Sequence, residues 1–314
     1  LSGDTRLYEA VQDAADRIRR LKVQGARNVA IAAIKAIANG AKESKAPKKF
    51  EFLQELSDAK NVLFASRETE PLMRNALRYV IHAIEKSEET SVKELVKLVS
   101  QVSDGFLESL KQSKEKIALV GSKRVTDGSK VLTHCHSSTV TNMLRRAKED
   151  GKTFEVICTE SRPVFQGRIT AREMLDAGID TTLIVDSAVR YFMNEVDLVV
   201  VGADAITSEG NVINKIGTSM VALAAKEART SFYVACELLK FDPATIHGDY
   251  ETIEERSPQE IWKHAPLGLN VRNPAFDVTR REFIHGIICE EGVVSPDSVS
   301  ELMSRKYPWI FEVT

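Results

Sequence analysis

Residues 131–138, Val-Leu-Thr-His-Cys-His-Ser-Ser, set a thiol between two imidazoles at the point where a short apolar run stops. After Ser137 and Ser138 the helical pattern Val140, Met143, Leu144, Ala147 begins. Cys135 is therefore expected where a strand ends and a helix begins, with backbone N–H groups close by. Such dipoles favour the thiolate, the reactive form of cysteine, so a partly exposed nucleophile or base is one reading. The other is a small buried hydrophobe, which is how most free cysteines pack. Both stand at this point. His134 and His136 lack further ligands nearby, so no metal site is expected. His136 is also too close in sequence to serve as the partner of a Cys-His hydrolase.

A second reactive group is Asp204, which follows the apolar run Leu198-Val199-Val200-Val201. A carboxyl there is expected to be partly desolvated and pushed towards neutrality, which suits a general acid; a structural Asp bonding loop amides is the alternative. Asn214-Lys215-Ile216-Gly217-Thr218 precedes a helical pattern, and a lysine, a glycine and a hydroxyl at a helix N-terminus make a phosphate seat or an ordinary cap. Arg67 and Arg162 are candidate phosphate forks, since guanidinium binds phosphate bidentately, or plain surface charges. Glu237 and Lys240 follow another apolar run, Ser231–Cys236. No G-x-G-x-x-G follows a predicted strand and no P-loop occurs, so neither a dinucleotide cofactor nor nucleotide hydrolysis is expected.

The elements that must carry these residues fall into two kinds. Residues 4–118 are helical in pattern: a first helix with Leu7, Val11, Ala14, Ile18 and Leu21 on one face; a second over 26–39 ended by Gly40; a third through Phe50, Phe52, Leu53, Leu56, Ala59, Val62 and Leu63; a fourth from Leu72 to Ile84; and a long one from Ser91, with Ser91 and Glu94 as a capping box. Its apolar stripe is Leu95, Leu98, Val99, Val102, Phe106, Leu110, Ile117, and a helix of that length suits joining two domains or meeting a partner subunit. From residue 129 the period changes. Strands are expected at 130–133, 154–159, 182–185, 198–202, 231–236 and 286–289, with helices at 140–148, 170–177, 188–194 and 218–228 between them. Alternation of this kind implies a parallel sheet covered on both faces. The expected organisation is a helical domain over 1–118 followed by a doubly wound, Rossmann-like α/β domain over 119–314. In such sheets ligands bind beyond the carboxyl ends of the strands. That is where His134-Cys135-His136, Thr159-Glu160-Ser161-Arg162-Pro163, Asp186-Ser187 and Gly202-Ala203-Asp204 fall.

The bulk composition narrows the class. Of 314 residues 43% are hydrophobic and 28% charged, ordinary for a globular chain, and 43 basic residues against 45 acidic leave a net charge of −2. That balance gives no basis for non-specific nucleic-acid binding. The four cysteines are scattered without a CxxC pair, which reads as reduced thiols. No leader pattern and no run near the ~20 apolar residues of a membrane span is present, so a cytoplasmic location is expected.

Taken together, Thr133-His134-Cys135-His136-Ser137, Thr159-Glu160-Ser161-Arg162-Pro163, Gly202-Ala203-Asp204 and Asn214-Lys215-Ile216-Gly217-Thr218 resemble one family. It includes archaeal ribose-1,5-bisphosphate isomerase, methylthioribose-1-phosphate isomerase and the regulatory subunits of translation initiation factor 2B. The likeness covers nearly the whole chain, including residues 75–80 and 273–279. The isomerases carry a catalytic thiol and carboxylate where Cys135 and Asp204 stand, whereas regulatory subunits typically lack one or both. Arg162-Pro163 and Gln166-Gly167 look like the ribose-1,5-bisphosphate branch. The resemblance implies conversion of ribose 1,5-bisphosphate to ribulose 1,5-bisphosphate, with Cys135 moving the C2 proton and Asp204 acting at the ring oxygen and O2. It implies substrate contacts from Gln24, Gly25, Arg67, Ser137, Ser138, Arg162, Asn214, Lys215 and Lys240, no cofactor, AMP as an activator, and a homo-oligomer, either a dimer or a trimer of dimers.

The chain also departs from that branch. Gln24-Gly25-Ala26-Arg27 stands where the isomerase has Arg-Gly-Ala-Gly, Ser138 where it has a lysine, and Glu68 where it has a proline. Ser138-Thr139-Val140 and residues 295–299 look more like the regulatory subunits. A methylthioribose-1-phosphate isomerase and a non-catalytic subunit that binds a sugar phosphate or nucleotide are therefore the alternatives.

Overall fold

The computed structural model describes residues 8–67, 69–248 and 253–312; Leu7 and Glu68 lie outside them. The chain divides into two compact units, Leu1–Lys111 with Ser304–Thr314, and Gln112–Met303.

The first unit is helical: α1 (Glu9–Arg19), α2 (Ala26–Ala41), α3 (Lys49–Phe64), α4 (Pro71–Lys86) and the leading part of α5 (Val92–Ser122). Each buries an apolar stripe at helical spacing, such as Val29, Ala30, Ala33, Ile34 and Ile37 of α2. Two local details differ from expectation. Gly40 does not end α2; it lies inside the helix beneath Tyr8, where an added Cβ would stand 2.6 Å from the ring atom Cδ2. A glycine that reads as a stop is here a close approach, set by a residue 32 positions away. The capping box is also absent. Glu89, not Glu94, accepts from the Thr90 and Ser91 amides at 2.8 and 2.7 Å, while Glu94 pairs with Lys97 at 2.8 Å.

The second unit is the α/β fold. Its elements in order are β1 (Lys130–Thr133), α6 (Ser138–Glu149), β2 (Glu155–Thr159), α7 (Gly167–Asp176), β3 (Asp180–Ile184), α8 (Val189–Phe192), β4 (Leu198–Val201), β5 (Ala205–Ile206), β6 (Val212–Lys215), α9 (Thr218–Ala228), β7 (Ser231–Ala235), β8 (Phe276–Thr279), β9 (Gly286–Cys289), β10 (Gly292–Val294) and the start of α10 (Val299–Lys306); the end of α10 and α11 (Trp309–Glu312) belong to the first unit. The main sheet has the order β10-β9-β7-β4-β1-β2-β3. All its pairs are parallel except the edge strand β10. Strands buried on both faces read as near-continuous apolar runs, and β4, four buried residues, is the extreme case. One core joins Val131, Val156, Val200 and Ile288 of the sheet to Met143 and Leu144 of α6 and Met174 of α7.

Two features were not expected. β10 runs antiparallel, and β5, β6 and β8 form a separate antiparallel sheet. Both come from short strands, and β6 and β8 carry polar residues (Asn214, Lys215, Asp277) that leave no alternating signal. No helix among the described residues is long and apolar enough to cross a membrane.

Candidate active site

Strand order decides where the site lies. From β1 the chain winds outward through β2 and β3; it then returns to the other side of β1 and winds outward through β4, β7 and β9. The reversal opens a crevice between the carboxyl ends of β1 and β4, the topological switch point. Cys135 lies two residues beyond β1, and Asp204 three beyond β4.

Cys135 is half-buried and its backbone is left-handed, φ 67°. Few residues other than glycine or asparagine adopt that region, and it costs roughly 1–2 kcal/mol. The peptide is held at both ends: its N–H donates to Ser161 Oγ at 2.8 Å, and its carbonyl accepts from Thr170 Oγ1 at 2.8 Å. Burial pushes the thiol up to about 11. Lys215 and the His136 amide pull the other way, and the Asp204 and Asp186 carboxylates add to the rise. Cys135 therefore rests as the neutral thiol at pH 7, the reverse of the thiolate expected from its place at a strand end. Desolvation and the two carboxylates outweigh the amide dipoles at the strand end. Asp204 is half-buried; its N–H bonds the Ile213 carbonyl at 2.8 Å, and the buried Lys240 ammonium donates to the Ala203 carbonyl just before it at 2.7 Å.

His134 is buried and works as a strut. Nε2 meets the Ile216 carbonyl at 2.9 Å and Nδ1 meets Thr159 Oγ1 at 2.6 Å, which assigns the proton to Nε2. Burial holds the ring below its ordinary value, so it stays neutral. Thr159 Oγ1 lies 3.2 Å from Ser161 Oγ, closing a directed chain from the Cys135 amide through two hydroxyls to the imidazole and on to the loop bearing Lys215. His136 differs: its Nδ1 reaches Thr170 Oγ1 at 3.1 Å and its Nε2 faces Glu173 at 3.8 Å.

The N-terminus of α9, expected as a phosphate seat, is already closed. Asp277 of β8 accepts from the Gly217 amide at 2.8 Å and from the Ser219 amide and hydroxyl at 3.2 and 2.8 Å. An anion at that helix end would displace a carboxylate built into the fold. What remains for ligand is Lys215, half-buried with its ammonium 5.1 Å from the Phe276 ring centroid. Asn214 is buried and donates to Thr218 Oγ1 at 3.0 Å. Ser137 caps α6 through the Val140 amide and packs on Gly202, where a Cβ would come within 2.7 Å; Ser138 opens α6. Arg162 is exposed, with one guanidinium nitrogen on the Ile261 carbonyl at 3.1 Å and its plane beside Phe165.

In the helical unit, Gly25 has φ 83° as the N-cap of α2, and Gln24 bonds the Leu21 carbonyl at 3.0 Å. Arg27 donates to the Leu110 carbonyl at 2.8 Å. Arg67 pairs with the fully buried Glu70 at 3.2 Å. Local sequence does not single out Asp277, or the roles of Thr159, Thr170 and Asp186. The available signal was a polar residue closing each apolar strand.

Residues 22–296 match the model of the Initiation factor 2 subunit family. The chain belongs to that family. This family member is 45% identical over 294 residues to ribose 1,5-bisphosphate isomerase of Archaeoglobus fulgidus, covering 92% of this chain and 91% of that protein. It is 36% identical to methylthioribose-1-phosphate isomerase of Desulforamulus reducens, over 91% and 87% of the two chains. In three dimensions it resembles the Pyrococcus horikoshii OT3 protein described as translation initiation factor eIF-2B, with a TM-score of 0.80, 30% identity, and 92% and 98% coverage.

Proposed function

We propose that this protein is an aldose–ketose isomerase that converts ribose 1,5-bisphosphate to ribulose 1,5-bisphosphate. The observation that carries the reading is the retained pair, Cys135 beyond β1 and Asp204 beyond β4, facing one switch point in a chain that matches the A. fulgidus isomerase almost end to end.

A sugar phosphorylated on its anomeric oxygen cannot open as a free hemiacetal, so an acid must protonate the ring oxygen. The resting thiol first passes its proton to the Asp204 carboxylate. Asp204 delivers it to the ring oxygen as the C1–O bond breaks, while the Cys135 thiolate takes the C2 proton. The product of that step is an enolic phosphate, with the thiol and the carboxylate restored. Cys135 then protonates C1 as Asp204 takes the proton from O2, giving the ketose with both phosphates kept. Return of the proton from Asp204 to the thiolate closes the cycle. One acid and one base suffice, and water must be excluded so that phosphate is not lost. Within the α/β unit, Lys215 and Lys240 supply positive charge for the phosphates, with Ser137, Ser138, Arg162 and Asn214 as further contacts. The same reading carries a homo-oligomer, with AMP as the activator that the family resemblance implies.

A regulatory-subunit reading is favoured by the P. horikoshii structure and by Ser138 in place of lysine. Proton NMR of the protein with α-ribose 1,5-bisphosphate in D2O, with and without AMP and with Cys135→Ser alongside, separates the two. Ribulose 1,5-bisphosphate from wild type alone supports the isomerase and its thiol. Ligand binding without conversion supports the regulatory subunit.

A further inference from the structure

We propose that Asp186 is a positioning residue for Cys135: its carboxylate locks the turn after β2, and Ser161 passes that lock to the peptide that bears the thiol. The inference rests on the reading of Cys135 as the proton-transferring group.

Asp186 follows β3, on the far side of β2 from β1. Its two oxygens accept from consecutive amides, Ser161 N–H and Arg162 N–H, each at 2.7 Å. A carboxylate bound this way fixes both position and orientation, and charge-assisted bonds are about twice as strong as neutral ones. It fixes an unfavourable backbone. Ser161 has φ 59° and Cys135 φ 67°, two side-chain-bearing residues in the left-handed region on adjacent strand ends. Such conformations persist only where the surroundings over-determine them. Here the over-determination runs in series: Asp186 holds the Ser161 amide, and Ser161 Oγ holds the Cys135 amide at 2.8 Å. Thr159 and Thr170 complete the frame, from β2 and α7. The outcome is a thiol aimed from the end of β1 by a carboxylate two strands away.

The same carboxylate also acts through space. The charged groups around Cys135 are Lys215 at the end of β6, Asp204 beyond β4 and Asp186 beyond β3, with His134 and His136 on either side of it. Glu173 of α7 and Arg145 of α6 stand beside His136. Asp186 and Asp204 oppose thiolate formation and Lys215 favours it. Removing the Asp186 charge while keeping the shape therefore lowers the pH of thiol ionisation; a fall in kcat at near-constant KM in Ser161→Ala then separates a positioned thiol from a carboxylate that merely closes a turn.

The test uses the full-length protein as wild type, Asp186→Asn and Ser161→Ala. Alkylation of Cys135 by iodoacetamide is followed from pH 7 to 11 by mass spectrometry of the Cys135 peptide, together with kcat and KM for ribose 1,5-bisphosphate. The expected results are a half-reaction pH lower by about half a unit or more in Asp186→Asn, and a kcat reduced about tenfold or more in Ser161→Ala with KM little changed. A denaturation midpoint within a few degrees of wild type is the control that Ser161→Ala, which loses one hydroxyl, still folds. An Asp186→Asn alkylation profile that overlays the wild type, or a Ser161→Ala enzyme of undiminished kcat, overturns the proposal. Should wild type convert no substrate, the isomerase reading falls, and the alkylation arm still decides the role of Asp186.

Discussion

Cys135 and Asp204 carry opposite burdens. In the proposed mechanism a thiol desolvated beside two carboxylates gives up its proton before it accepts one from carbon, and Asp204 is the proposed acceptor. Asp204→Asn removes that acceptor while keeping a side chain of the same size. Bisphosphate binding measured by calorimetry should stay within a few-fold of wild type, while turnover falls by about 10²-fold or more; an unchanged rate would place the acid elsewhere. His134 gives a second residue-scale expectation. Burial holds its imidazole below the ordinary value, so below pH ~6.5 the unfolded chain binds a proton that the native state refuses. Stability from this group is complete above pH ~6.5 and declines as pH falls. Urea midpoints at pH 7.5, 6.5 and 5.5 should drop towards acid in wild type and drop less in His134→Gln. Parallel declines in the two would remove His134 as the cause.

Between elements, the tightest joint is β2 against α7. Gly167 opens α7 directly over the end of β2, and a Cβ there would lie 1.7 Å from the Thr159 carbonyl oxygen. Backbone cannot give way as a flexible side chain would. Gly167→Ala should cost about 3 kcal/mol, read from urea denaturation, and should also lower turnover, because the Thr159 hydroxyl donates to His134 Nδ1. A variant with both properties intact would mean that α7 slides freely on the sheet. Glu89 shows the same principle at α5: the cap comes from outside the expected box because Ser87–Thr90 turns its carboxylate back onto the Thr90 and Ser91 amides. Spacing alone does not distinguish the two glutamates.

For the molecule as a whole, the α/β unit exposes large apolar side chains towards one edge of its sheet. Leu183 and Val185 in and after β3, and Ile169 and Leu175 of α7, which packs on β2 and β3, are all exposed. A soluble monomer rarely leaves so many uncovered in one region. Light scattering after size exclusion should give a mass at least twice that of the chain, and a monomer at micromolar concentration would count against the homo-oligomer.

Residue types and order alone were enough to place the strands β1, β2, β4, β7 and β9, because buried parallel strands are apolar runs between helical periods. They also carried the family resemblance, since Cys135, Asp204, Asn214 and Lys215 stand in runs whose order is unusual. Local sequence could not weigh desolvation against nearby amides, so the protonated resting state of Cys135 emerged only with its neighbours from four strand ends. Nor could it show that Asp277, about sixty residues on, fills the N-terminus of α9, or that Asp186 clamps the turn beneath Cys135. Those are long-range pairings, and only tertiary packing at the switch point brings their partners within hydrogen-bonding distance.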